Sequence, residues 1–216
     1  MNRLALFDCD GTLVDSQHMI GLCMDRAFAQ AGLAPPPRAA TRRVVGLSLV
    51  PAMAALLPEG DPALHEQLAE DYKTAFQTLR REQGVDEPLF DGIAAALDAL
   101  EAAGWLLGVA TGKSDRGLDL CLRHHGLRDR FVTLQTADRH PSKPHPSMVA
   151  QAMAEAGAVP ETTIVIGDTS FDMVMGVAAG ARALGVDWGY HEPDDLWAAG
   201  AYHIVTHPNE ILKALS

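Results

Sequence analysis

Six short apolar segments recur along the chain, five of them beyond residue 105, with helical patterns between most neighbours. This alternation constrains the fold more than any other feature. The apolar segments are Leu4–Phe7, Leu106–Ala110, Phe131–Gln135, Thr163–Ile166, Arg182–Val186 and His203–Val205. The helical patterns are Ile93–Ala103, Asp115–His125, Pro146–Ala156, Phe171–Ala179 and Asp194–Ala199. Strands and helices alternating at this length build βαβ units and hence a parallel sheet. Thr163-Ile164-Val165-Ile166 shows no polar alternation, as a strand covered on both faces requires. The expected class is α/β, with an open, Rossmann-like parallel sheet as the core.

Between Ser16 and about Glu87 the pattern changes and no strand is evident. Leu64, Leu68, Tyr72, Ala75/Phe76 and Leu79 recur at three- and four-residue spacing, the mark of an amphipathic helix. Met19–Ala31 and Leu49–Leu57 read as further helices, separated by the breaker Ala34-Pro35-Pro36-Pro37. The expected organisation is a core of residues 1–15 and 88–216 and an inserted α-helical cap of residues 16–87. An insertion leaving just after the first strand sits over the strand ends like a lid.

The bulk numbers narrow the function classes. The chain has 216 residues, 48% of them hydrophobic, and a mean hydropathy of +0.02. No apolar run is long enough to span a bilayer, and the first residues carry no signal-peptide pattern. A net charge of −11 argues against nucleic acid and anionic membrane as partners. It leaves room for a small anionic substrate in a locally cationic pocket. Cys9, Cys23 and Cys121 are scattered and lack metal-ligand spacing, so reduced, buried thiols in a cytoplasmic protein are expected. Oligomeric state, monomer or dimer, stays open.

The candidate chemistry lies at the predicted strand ends, where open α/β sheets place their sites. After the first strand comes Asp8-Cys9-Asp10-Gly11-Thr12-Leu13-Val14-Asp15-Ser16. In extended geometry residues two apart project to one side, so Asp8 and Asp10 can address one small volume. After Leu106–Ala110 comes Thr111-Gly112-Lys113-Ser114, a hydroxyl and a glycine amide at a helix start, suited to cradling an anion. The loop after the third strand holds Lys143 in Ser142-Lys143-Pro144, and the chain has only four lysines. After Thr163–Ile166 comes Gly167-Asp168, with Asp172 one helical turn later on the same face.

This ordered set (Asp8-x-Asp10-Gly11-Thr12, Thr111, Lys143-Pro144, Gly167-Asp168-x-x-x-Asp172) resembles the haloacid dehalogenase superfamily along essentially the whole chain. Asp-Gly-Thr-Leu-Val-Asp-Ser, Val45-Gly46-Leu47-Ser48-Leu49 and Gly185-Val186-x-Trp188-Gly189-Tyr190 are similar to its phosphoglycolate-phosphatase-like branch. The resemblance implies a phosphatase acting on a small phosphorylated metabolite, 2-phosphoglycolate being one candidate. Asp8 would be the nucleophile forming an aspartyl-phosphate, and Asp10 the acid and then the base. Thr111, the Gly112 amide and Lys143 would hold the phosphoryl oxygens. Carboxylates crowded at one site repel without a cation, and hard oxygen ligands point to Mg²⁺. Its expected ligands are Asp8, the Asp10 main-chain carbonyl and Asp168, with Asp172 binding directly or through water. Arg42, Arg43 and the Gly46 turn are the expected cap contacts to a distal carboxylate or hydroxyl. A phosphosugar mutase or a pyrophosphatase could use the same core, and a binding protein that lost the chemistry is the rival of a different class.

Overall fold

The computed structural model describes residues 1–84 and 87–215. Val85, Asp86 and Ser216, which fall within the expected domains, lie outside them. Six strands form one parallel sheet: β1 (Asn2–Phe7), β2 (Trp105–Thr111), β3 (Phe131–Thr136), β4 (Ala158–Gly167), β5 (Arg182–Val186) and β6 (His203–Val205). Their spatial order is β3-β2-β1-β4-β5-β6. From β1 the chain winds outward through β2 and β3, then returns to β4 on the other side of β1. The sheet's topological switch point is therefore between β1 and β4, and the crevice there opens at the carboxyl ends of the strands.

The register explains why functional groups meet there. Phe7 of β1 pairs with Val109 of β2 and with Ile166 of β4, so the three strands finish within two residues of one another. Alternation along β1 serves both faces. Leu4 and Leu6 pack with Met148, Val149 and Ala152, whereas Ala5 and Phe7 pack with Ile93, Leu97 and Leu100. The helices that supply these partners are α7 (Ser147–Ala156) on the first face and α5 (Ile93–Ala102) on the second.

Between β1 and α5 lie the helices α1 (Gln17–Gln30), α2 (Arg38–Val44), α3 (Leu49–Leu56) and α4 (Pro62–Gln83). Met19, Cys23 and Phe28 of α1 bury against Met53 of α3 and Leu68, Tyr72 and Leu79 of α4 in an apolar cluster of their own. Asp61 caps α4 by accepting from the Leu64 amide at 2.8 Å, and Pro62 follows where its missing N–H costs nothing. The chain leaves and re-enters the core side by side. Asp15 N donates to Pro88 O at 2.8 Å, and Phe90 N donates to Leu13 O at 3.1 Å. The remaining helices are α6 (Asp115–His124), α8 (Ser170–Ala178), α9 (Pro193–Ala198) and α10 (Ile211–Ala214). No described helix is long and apolar enough to cross a membrane.

Three elements depart from the sequence reading. Helix α2 starts directly after Pro37, so a proline run that reads as a breaker serves as the lead into a helix. Strand β4 begins five residues earlier than its apolar run, because Ala158 already pairs with Asn2. Helix α10 is only four residues long, too short to show a period.

Candidate active site

Asp8 follows the last residue of β1, and its amide continues the ladder by donating to Ile166 O at 2.9 Å. Asp168 follows β4 and Asp172 lies in the first turn of α8. One oxygen from each of Asp8, Asp168 and Asp172 lies within 4.8 Å of the others, and all three residues are buried. Lys143 Nζ enters this group from the loop after β3, 2.9 Å from Asp8 Oδ1 and 2.6 Å from Asp172 Oδ1. One ammonium thus pairs with two of the three clustered carboxylates.

The electrostatic consequence is strong. Burial pushes the Asp8 carboxyl up to about 7; Lys143 opposes that push, while Asp172 and Asp10 add to it. Asp168 is raised well above the carboxylate range by burial and then by Asp8 and Asp172. Burial alone would lower Lys143, but the adjacent Asp172 and Asp8 raise it above the usual lysine value, so it stays an ammonium.

Each carboxylate is held differently. Asp8 Oδ1 accepts from Cys9 N at 2.6 Å, while Asp8 Oδ2 is buried without a hydrogen-bond partner. Asp168 accepts from Thr12 Oγ1 at 2.7 Å and from Tyr190 N at 2.9 Å. A Cβ at Gly11 or at Gly189 would come within 2.2 Å of the Asp168 side chain, so both loops can close on that carboxylate only as glycine. Asp172 gives Oδ1 to Lys143, and its Oδ2 accepts from Thr169 N and Thr169 Oγ1 in a capping box. It caps its helix and belongs to the carboxylate cluster at once.

An orphaned buried oxygen beside two further carboxylates fits a hard divalent cation. The all-oxygen donor set has the same preference, and a cation would relieve the surplus negative charge that raises Asp8 and Asp168. Both oxygens of Asp172 are already engaged by protein donors, which suits it to an outer role.

Asp10 sits beside this cluster with partners of its own. Its Oδ1 accepts from Ser16 Oγ and lies 2.9 Å from Lys113 Nζ. Lys113 also reaches Glu87 Oε1 at 2.5 Å and lies over the Phe76 ring, 5.5 Å from its centroid. Burial would lower Lys113, but Asp10 and Glu87 raise it well above the lysine value. The Tyr190 hydroxyl stands 3.1 Å from Ser16 Oγ and is kept protonated chiefly by burial. From sequence, none of Glu87, Lys113, Ser16, Tyr190 or Thr12 is given a role, although Thr12, Ser16, Lys113 and Tyr190 all fall inside the motifs quoted above. Lys113 carried a further signal, being one of four lysines and directly following Thr111-Gly112, whereas Glu87 carried none.

The other sequence candidates divide. Thr111 is fully buried at the end of β2, its Oγ1 accepting from Lys113 N at 3.2 Å. Gly112 lies hard under the cap: a Cβ there would meet Leu47 O at 2.7 Å and Gly46 O at 2.9 Å. Gly46, with φ of 97°, makes the turn that lets this cap segment reach the core. Asp10, Gly46, Gly112 and Lys113 border a cavity of about 340 Å³ between helices α1–α4 and the strand ends. Arg43 does not line it. Arg43 is 72% exposed and pairs with Asp195 of α9 at 3.5 Å. Arg42 likewise ties cap to core, donating to Gly189 O at 2.9 Å and lying over the Tyr190 ring.

Comparison with known proteins identifies the family. The family model for haloacid dehalogenase-like hydrolases matches residues 5–186. The chain is 35% identical to a protein of Dickeya dadantii named "Probable phosphatase IndB", covering 99% of this chain and 94% of the other. It is 31% identical to a phosphoglycolate phosphatase of Xylella fastidiosa, covering 96% and 93%. It is also 31% identical to an N-acetylmuramic acid 6-phosphate phosphatase of Pseudomonas aeruginosa, covering 99% and 94%. Among solved structures, a haloacid dehalogenase-like family hydrolase from Streptococcus pneumoniae superposes with a TM-score of 0.86, covering 100% and 99% at 24% identity.

Proposed function

Because the chain belongs to the haloacid dehalogenase-like hydrolases and is a phosphatase of that family, we propose that it hydrolyses small phosphomonoesters through an aspartyl-phosphate on Asp8, with Mg²⁺. In this reading residues 16–87 are the cap, and residues 1–15 with 88–216 are the catalytic core. The names of its relatives supply two reference substrates, 2-phosphoglycolate and N-acetylmuramic acid 6-phosphate. Three free buried cysteines fit a cytoplasmic location.

The observation that carries the reading is the state of Asp8. Lys143 and the Cys9 amide pin Oδ1, which orients the carboxylate, and leave Oδ2 without a hydrogen-bond donor. An Asp8 oxygen attacks phosphorus, and the bond from phosphorus to the alcohol oxygen breaks. Asp10, held through Oδ1 by Ser16 and Lys113, enters this step protonated on Oδ2 and gives that proton to the leaving oxygen. Asp10 then takes a proton from the water that attacks the phosphoaspartate, releasing inorganic phosphate and restoring the Asp8 carboxylate. Thr111, the Gly112 amide and Lys143 hold the phosphoryl oxygens. Asp8, Asp168 and the Asp10 main-chain carbonyl would hold Mg²⁺, which offsets the charge developing on the phosphoryl group. Gly46 and Leu47 closing on Gly112 keep bulk water from the intermediate.

Phosphate release from a panel of phosphomonoesters, with and without Mg²⁺, tests the reading when Asp8→Asn is run beside wild type. Mg²⁺-dependent release that falls by several orders of magnitude in Asp8→Asn is expected. Retention of more than about a tenth of the wild-type rate would refute the covalent role.

A further inference from the structure

The cavity beside Asp10 is larger than phosphate recognition needs. Its roughly 340 Å³ falls in the range of about 300–1,000 Å³ typical of pockets that enclose whole organic ligands. Helix α4 builds one wall with two parallel stripes. Tyr72, Phe76 and Arg80 recur every four residues, as do Lys73, Gln77 and Arg81 beside them, and all six line the cavity. The first stripe is apolar next to Lys113 and cationic one turn further on. Met24, Leu47 and Leu49 add apolar surface opposite.

The arginines at the rim are unusual for this chain. Most of its arginines meet a carboxylate, a carbonyl or an aromatic ring. Among the described residues, Arg80 and Arg116 make no side-chain hydrogen bond, ion pair or ring contact. Both line the same cavity, Arg80 from α4 and Arg116 from α6. The other cations there are already engaged, Lys113 with Asp10 and Glu87, Lys73 with Glu70 and Arg81 with the Gln77 carbonyl oxygen. Arg80 is half-buried and Arg116 exposed, and in a chain of net charge −11 two unpartnered guanidinium groups bordering one cavity favour an anion there.

Building on the phosphatase reading, we infer that the substrate is a phosphomonoester whose alcohol has an apolar body and a second anionic group. Tyr72 and Phe76 pack against the body, and Arg80 with Arg116 takes the distal anion, a carboxylate or a second phosphate. The stripe from Tyr72 to Arg80 runs about 12 Å along the helix. A two-carbon phospho-acid such as 2-phosphoglycolate is too short to occupy the phosphoryl site and span that stripe. It therefore gains nothing from that stripe, which favours longer esters over it.

The test compares kcat/KM for phenyl phosphate, 4-carboxyphenyl phosphate and 2-phosphoglycolate, in wild type and in the double variant Arg80→Gln/Arg116→Gln. Wild type is expected to prefer the carboxylated aryl ester over phenyl phosphate by about tenfold or more, the scale of one charge-assisted contact. It should prefer either aryl ester over 2-phosphoglycolate. In the double variant the carboxylate preference should fall below about threefold. A wild-type preference under threefold, a preference unchanged in the variant, or 2-phosphoglycolate as the best substrate would each overturn the inference. The wild-type ratio decides the matter even if the variant does not fold. Phenyl phosphate turnover without a carboxylate preference overturns this inference alone. No phosphate release from any ester overturns the phosphatase reading with it.

Discussion

Replacing Lys113 with methionine tests whether the buried charge network behind Asp10 is as costly to break as its geometry requires. Lys113 Nζ lies 2.9 Å from Asp10 Oδ1 and 2.5 Å from Glu87 Oε1, and the three side chains are 9%, 12% and 1% exposed. Lys113→Met keeps an unbranched stem near Phe76 and removes only the ammonium. Both carboxylates then lose their counter-charge, and Glu87 has almost no water to replace it. Breaking a buried pair from one side costs about 3–5 kcal/mol, because the remaining charge stays desolvated. For a domain of this size each kcal/mol lowers Tm by about 2–4 °C, so a fall of roughly 10 °C is expected. Glu87→Gln added to Lys113→Met removes the more deeply buried of the two stranded charges and should recover about half of the loss. Urea unfolding of wild type, both singles and the double gives the cycle directly. A Lys113→Met loss below about 1 kcal/mol, or no recovery in the double variant, would refute the reasoning.

Two further outcomes follow from the site's packing and charge. Gly112→Ala puts a methyl within 3 Å of the Gly46 and Leu47 carbonyl oxygens, which are backbone and cannot swing away. The cap segment must lift, so kcat/KM should fall by about tenfold or more while urea unfolding changes by only about 1–3 kcal/mol. An unchanged kcat/KM would show that this contact does not govern turnover. The second concerns Asp8 in metal-free protein, where burial raises its carboxyl to about 7 from 3.8. Below pH 3.8 folded and unfolded chains are both protonated there and the residue costs nothing. As pH rises to about 7 the unfolded chain ionises first, so folding carries a growing penalty that is constant above that pH. In chelator, Asp8→Asn should therefore raise Tm at pH 8 and leave it nearly unchanged at pH 4; equal shifts at both would contradict the burial argument.

The strand and helix plan was legible because it depends on local composition. Thr163-Ile164-Val165-Ile166 can be buried on two faces whatever surrounds it, and β5 and β6 match their apolar segments residue for residue. Asp8, Asp168 and Asp172 were legible because acids at strand ends depend on the chain-order pattern of a parallel sheet, and register brings those ends together. Lys143 was legible as a scarce cation in a stiff loop, though its burial between Asp8 and Asp172 was not.

Partnership across long separations was decided only by tertiary structure. Asp10 looks like a twin of Asp8 in sequence, yet its carboxylate belongs to a network with Ser16, Lys113 and, through Lys113, Glu87. That separation arises because the residues after Phe7 leave the strand, and Cys9 between the two acids turns into the core. Arg43 and Arg80 are both cap arginines, and nothing local ranks one over the other. The packing of α2 sends Arg43 outward to Asp195, whereas the stripe of α4 carries Arg80 into the cavity. A linear pattern specifies which side chains share a helix face or a strand face. Which of those faces a cap turns toward the phosphoryl site depends on how two separately formed cores dock, and that is settled by non-local contacts alone.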